Sequence, residues 1–207
     1  MIPLDNIHSY RVGESSLPHD PISSIIGPRP IGWISTLSVD GIANLAPYSF
    51  FTVVNYQPPM VMFSSVTKKD SVTNAEQTGE FVVNLATRAL AEKINLSSSA
   101  LLPEQDEIQF CGLTPAPSLE IKPPRVAESP VSLECRVTRI EPLLGLNSQT
   151  LDTWVTYGEV VAVNIDNALL KNGIFDTSSA GIILRAGGPA DYFEVLAEGK
   201  FQMHRPR

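Results

Sequence analysis

Apolar positions in this chain recur mainly with a period of two, and the runs they form are short. Ile31 to Leu37 reads as a strand, Asp40-Gly41 as a tight hairpin turn, and Ile42 to Asn55 as the returning strand, closed by Pro58-Pro59. Met60 to Val66 is a continuous apolar run, the pattern of a strand buried on both faces, and Phe81 to Leu85 is a second. From Val131 to Ile140, Val131, Leu133, Cys135 and Val137 alternate with Ser132, Glu134, Arg136 and Thr138, which predicts a half-buried strand. Trp154 to Ile165 is the last long β run.

Two stretches change period. Asp70 to Gly79 predicts a helix with Asp70 or Ser71 as N-cap, a second capping-box match at Thr73 and Glu76, and Gly79 as its stop. Arg88 to Leu96 predicts another. Residues 97–130 are rich in Ser and Pro and read as irregular; the segment is too long for an ordinary connection, which makes it a candidate lid or dimer contact. Strands joined mostly by turns, with two short helices, predict a mainly β fold, a closed antiparallel barrel.

Composition narrows the class. The 207 residues suit a single domain over 1–207, long enough to bury roughly 70% of its unfolded surface without disulfides or metals. A net charge of −7 argues against nucleic acid as a partner, since such binders show a basic face. Cys111 and Cys135 form no CxxC pair and read as reduced thiols. Met1-Ile2-Pro3-Leu4-Asp5 has neither the basic nor the apolar region of a secretory signal, and no window reaches the ~20 apolar residues that span a bilayer. A cytoplasmic protein with no membrane partner is the expectation.

Familiar chemistry is missing. There is no GxGxxG, no P-loop and no GxSxG elbow. His8, His19 and His204 have no metal-ligand spacing, so no metal site is expected. What remains suits a flat phosphorylated ligand. Lys68 and Lys69 lead into the predicted helix at Asp70-Ser71, where free N–H groups and the positive dipole end favour an anion. Read alone, that stretch equally describes a solvated loop with an ordinary cap. Asn44-Leu45-Ala46-Pro47-Tyr48-Ser49-Phe50-Phe51 sets hydroxyls beside aromatics, and Pro47 argues for an edge or bulge with backbone groups free to meet a ligand. Trp33 reads as core. Arg185-Ala186-Gly187-Gly188 with Asp191-Tyr192 reads equally as a simple turn after a strand.

Together, Arg29-Pro30-Ile31-Gly32-Trp33-Ile34-Ser35-Thr36, Gly41, Asn44 to Phe51, Pro58-Pro59, Lys69-Asp70-Ser71 with Asn74, Thr78 to Leu85 and Arg185 to Gly188 with Tyr192 resemble the flavin reductase-like family of FMN-binding split barrels. The resemblance is dense from about residue 20 to 96, thin in the middle, and returns near the C-terminus. It implies a six-stranded antiparallel Greek-key split barrel that forms a homodimer with one FMN per subunit near the interface. It implies Ser35 and Thr36 near the phosphate or ribityl side, Lys69 and Ser71 in the phosphate loop, and Ala46, Pro47, Tyr48, Ser49, Phe50 and Phe51 along the isoalloxazine, with Asn44 beside them. The segment 97–130 departs from shorter members. The implied activity is hydride transfer from NADH or NADPH to the flavin, with an electron acceptor or a partner monooxygenase downstream and no catalytic side chain. A flavoredoxin-like electron carrier, or a flavin-free dimer module, are the alternative expectations.

Overall fold

The computed structural model describes residues 6–206, so Met1–Asp5, and with them the reading of the N-terminus, lie outside the described residues. In chain order the elements are α1 (Ile22–Ile25), β1 (Gly32–Leu37), β2 (Ala43–Tyr48), β3 (Phe51–Tyr56), β4 (Pro59–Val66), α2 (Asp70–Thr78) and β5 (Glu80–Leu85). There follow α3 (Ala91–Leu96), α4 (Glu107–Phe110), β6 (Pro115–Ala116), β7 (Arg125–Val126), β8 (Val131–Leu144) and β9 (Thr150–Ile165). Short pairs β10 (Leu170–Lys171) with β11 (Ile174–Phe175) and β12 (Ile183–Arg185) with β13 (Tyr192–Glu194) complete the chain. Among the described residues, no helix is long and apolar enough to cross a membrane.

Seven strands form one antiparallel sheet in the order β2-β1-β5-β8-β9-β4-β3. Its two edges, β2 and β3, are consecutive in the chain and separated only by Ser49 and Phe50. The sheet therefore curls until its edges meet, a barrel split along that seam. Across the seam the Tyr48 ring lies 4.9 Å from the Phe63 ring, and the β3–β4 ladder runs on into the corner, where the Phe50 carbonyl accepts from the Ser64 N–H at 2.8 Å. The expected single strand Ile42 to Asn55 is thus two strands joined at a corner; counted as one bent strand, it gives the six of the split barrel. Pro47 sits on the edge strand β2, where its missing N–H leaves no gap in the ladder.

Strand alternation divides β1 between two cores. Ile34 faces the barrel interior with Val61, Phe63, Val72, Phe81, Val83 and Cys135. Ile31 and Trp33 face outward, into a second core with Leu45, Ile94, Ile108, Leu113 and Val126. Trp33 is fully buried and its indole N–H donates to Ser97 Oγ at 2.9 Å. Gly158 on β9 lets the Phe81 ring lie flat against the backbone; a Cβ there would overlap the ring. Met60 to Val66 is not buried on both faces: Val61, Phe63 and Ser65 point in, while Met62 and Ser64 are half-exposed on the other side.

The reverse holds for β8. Its polar residues Ser132 and Glu134 are buried, because residues 115–126 fold over that face. The part of the segment over residues 115–126 is therefore packed against the sheet. Glu134 accepts from the Leu119 N–H at 2.9 Å, the Glu120 N–H at 2.8 Å and the Asn164 amide at 2.9 Å. Asn84 Oδ1 accepts from the Val126 N–H, and Glu80 from the Lys122 N–H, each at 2.9 Å.

Candidate functional site

Helix α2 begins differently from the pattern's expectation. Lys69 is the N-cap in extended conformation, Asp70 is the first helical residue, and no side chain caps the start. The first N–H groups of such a helix have no carbonyl partner within it. Ser71, expected as a cap, instead turns inward and donates to Asn44 Oδ1 at 2.7 Å. Gly79 ends the helix at φ +75°, as expected. Before it, Thr67 sits at φ +66°, a conformation costly for a β-branched residue and of the kind that collects at functional sites. Lys68 pairs with Glu76 at 2.7 Å and lies over the Trp154 ring, whereas Lys69 makes no ion pair among the described residues.

Beneath this helix start lies a buried polar network. Asn44 on β2 is its hub: its Oδ1 takes the Ser71 hydroxyl, and its Nδ2 donates to Glu107 Oε1 at 2.9 Å. Thr36, opposite Asn44 in the β1–β2 register, donates to Oδ1 at 3.4 Å and accepts from Asn74 Nδ2 at 3.2 Å. The network floors a cleft of about 460 Å³, lined by Asn44, Ala46, Pro47, Tyr48, Lys69, Asp70 and Ser71 on one side. Residues 97–101, Pro103 and Glu107 line the other. Two buried polar atoms here lack any partner, the Tyr48 hydroxyl and Glu107 Oε2. Burial pushes both the Tyr48 phenol and the Glu107 carboxyl up from their ordinary values. Unpartnered buried groups cost free energy, and a ligand with complementary polar atoms would satisfy them.

Past the β2–β3 corner a second cleft, about 570 Å³, is lined by Ser49, Phe50 and Phe51 together with Arg29, Met62, Ser64 and Tyr157. Arg29 lies over the Phe50 ring at 5.5 Å and donates to Ser49 Oγ at 3.4 Å. Gly32 lets Phe51 lie against β1; a Cβ there would come within 2.7 Å of the ring. The first cleft is thus polar and hydroxyl-rich, with Lys69 as its one cation, the second apolar and aromatic, and the corner joins them. A third cleft, about 940 Å³, shares Pro28 with the second and is walled by Ile174, Phe175, Leu184 and Phe193. Of its polar lining, Lys171 and Ser178 bond to Asp176, and Thr177, Glu194 and Lys200 complete it. Among the described residues no group of three acidic, His or Cys side chains could hold a metal.

Of the expected site residues, Asn44, Ala46, Pro47, Tyr48, Lys69 and Ser71 share the first cleft and Ser49, Phe50 and Phe51 the second. Ser35 and Thr36 differ. Adjacent strand residues point to opposite faces, and both are fully buried. Ser35 donates to the Pro124 carbonyl at 2.6 Å under the 115–126 cover. Thr36 lies in the network beneath the cleft floor. Neither residue lines either cleft. Arg185 closes its own turn, donating to the carbonyls of Gly188, Pro189 and Asp191. Glu107 is not picked out by the sequence pattern, and the 97–101 wall lies within the 97–130 segment read as a candidate lid or dimer contact. The Asp106 cap, whose carboxylate accepts from the Gln109 N–H, was the local signal for the short helix that carries Glu107.

Comparison with known proteins agrees with this geometry. The Flavin reductase like domain matches residues 27–181. An uncharacterized protein of Aquifex aeolicus is 38% identical over 158 residues, covering 74% of this chain and 77% of its own length. Nitrilotriacetate monooxygenase component B from Bacillus cereus superposes with a TM-score of 0.86 at 28% identity, covering 95% of this chain and 98% of that one. The 2-nitrobenzoate 2-nitroreductase NbaA of Pseudomonas fluorescens gives 0.81 at 26%, covering 97% and 96%. With a match across most of its length, the chain belongs to the flavin reductase-like family, and its function is flavin-related.

Proposed function

We propose that this protein is an FMN-binding oxidoreductase that takes hydride from NADH or NADPH and works as a pair of identical subunits. The observation that carries the reading is the joining of an uncapped helix start, with Lys69 at its N-cap, to an aromatic cleft at the β2–β3 corner. Lys69, the free N–H groups at the start of α2 and the neighbouring hydroxyls suit a phosphate. The aromatic residues Phe50 and Phe51, steadied by Gly32 and Arg29, suit the edge of a flat ring.

FMN when bound supplies two-electron acceptance, which no side chain of this chain offers. The residues' own work is to bind, align and exclude water. Backbone N–H groups and hydroxyls of the clefts are the donors placed to meet negative charge on the ligand. No general acid or base is assigned.

Strand β3 supports the pairing. Val53, Val54 and Tyr56 are exposed, Tyr56 at 90%, on the strand whose first residues line the aromatic cleft. Such edge strands are usually covered. The name of the Bacillus cereus relative, a monooxygenase component, supports delivery of reduced flavin to a second enzyme.

One preparation tests the reading. Titration with FMN should quench its fluorescence at one flavin per chain, and NADH or NADPH should be oxidised with turnover. No quenching overturns the FMN assignment; quenching without nicotinamide oxidation overturns the reductase activity and leaves an electron carrier. Sedimentation of the same sample should give the mass of two chains, and a single-chain mass would remove the pairing.

A further inference from the structure

Glu107 is a carboxyl set where the proposed ligand brings negative charge, and nothing in the activity above uses it. It is 5% exposed, one oxygen takes the Asn44 amide, and the other has no partner. Asn44 Nδ2 donates to Oε1 at 2.9 Å while Asn44 Oδ1 accepts from the Ser71 hydroxyl at 2.7 Å. In this arrangement Oε1 faces a donor. Any proton on Glu107 resides on Oε2, the oxygen left without a partner in the protein.

The charges around it do not compensate a carboxylate. Glu107 makes no ion pair among the described residues. From β2 it faces the neutral Tyr48, and from α2 the opposed pair Lys69 and Asp70. On its far side a hollow of about 320 Å³ adds Asp40 and Glu104 and no lysine or arginine. Along its own helix stands the buried Cys111 thiol, whose carbonyl takes the Lys93 ammonium. Burial raises the carboxyl's pKa, the hydrogen bonds from its own backbone, the Asn44 amide and the Leu45 backbone lower it, and the net shift is upward. A phosphate dianion beside Lys69 would leave one cation to serve several anions.

We propose that Glu107 is a specificity-determining residue of the phosphate cleft: its carboxyl is neutral when an organic phosphate is bound, and it donates its Oε2 proton to that ligand. The proposal rests on the FMN reading. No bond other than O–H is made or broken; the proton comes from solvent and returns there on release. The cleft thereby discriminates for a ligand carrying a strong acceptor at this point and links its affinity to pH.

Calorimetric titration at pH 7.5, in two buffers of different ionisation enthalpy, counts the protons exchanged. Wild type should take up most of one proton on binding FMN and far less on binding riboflavin, which lacks the phosphate. Above the free carboxyl's midpoint the Kd for FMN should rise about tenfold per pH unit. Glu107→Gln should bind FMN with no uptake and a flat pH dependence. Equal uptake by the two proteins, or tight FMN binding to wild type without uptake, overturns the proposal. The wild-type contrast between FMN and riboflavin decides the matter even where the variant folds poorly. Failure to bind FMN at all removes the parent reading first, a distinct result.

Discussion

Asn44→Leu should cost about 3 kcal/mol of folding stability and weaken FMN binding at least tenfold, because it strands two buried polar groups at once. Ser71 Oγ and Glu107 Oε1 both depend on the Asn44 amide, and Thr36 loses its 3.4 Å acceptor with them. Urea unfolding reads the first quantity and fluorescence titration the second. Asn44→Asp separates the two donor–acceptor roles. It keeps the acceptor for Ser71 but sets a second carboxylate against Glu107, so its deficit should deepen as pH rises. Unchanged FMN affinity in both variants would show that the network does not position the cleft.

Glu134→Ala should cost about 3 kcal/mol, because it strands donors that each cost about 1–3 kcal/mol when buried without a partner. The side chain is fully buried and meets the N–H groups of Leu119 and Glu120 and the amide of Asn164. Burial raises its pKa, but those three donors outweigh burial and hold the carboxyl below the usual range. The sign follows. A folded-state pKa below the unfolded one gives stability that is present above the unfolded value, about 4.3, and lost as pH falls through the folded value. The stability difference between wild type and Glu134→Gln should therefore be greatest near neutrality and shrink below about pH 4. A difference constant from pH 7 to pH 3 would exclude the carboxylate as the fastening of the 115–126 cover.

Much of the barrel is legible in the sequence because strand period and turn chemistry are local. Ile31 to Leu37, Phe81 to Leu85 and the Gly79 stop need only their own neighbours to be recognised, and the structure has them within a residue. What depends on distant partners is not legible. The polar alternation at Ser132 and Glu134 has the look of a solvated face, and only the return of residues 115–126 buries it. Likewise, Ser71 reads as a cap from its position before a helix; Asn44, 27 residues away, is what draws it inward. The site divides in the same way. The motif around Asn44 to Phe51 marks the clefts, but Ser35 and Thr36 stand side by side in sequence while strand geometry sends one under the cover and the other beneath the floor. Glu107 lies in a stretch without periodic signal, and only the tertiary fold brings it to Asn44.

The two-residue corner between β2 and β3 has a consequence for what the protein can accept. Surface loops tolerate added length cheaply, each doubling costing about 0.6 kcal/mol in closure entropy. Ser49 and Phe50 are different, for they hold the charged end of one hollow at a set distance from the aromatic wall of the next. Two residues reach at most roughly 7 Å, and the sheet's own hydrogen bonds fix both their ends. The corner is a caliper. On the proposed reading it sets the length between an anion and a ring, so a molecule with both groups at the wrong separation would fit one cleft and miss the other.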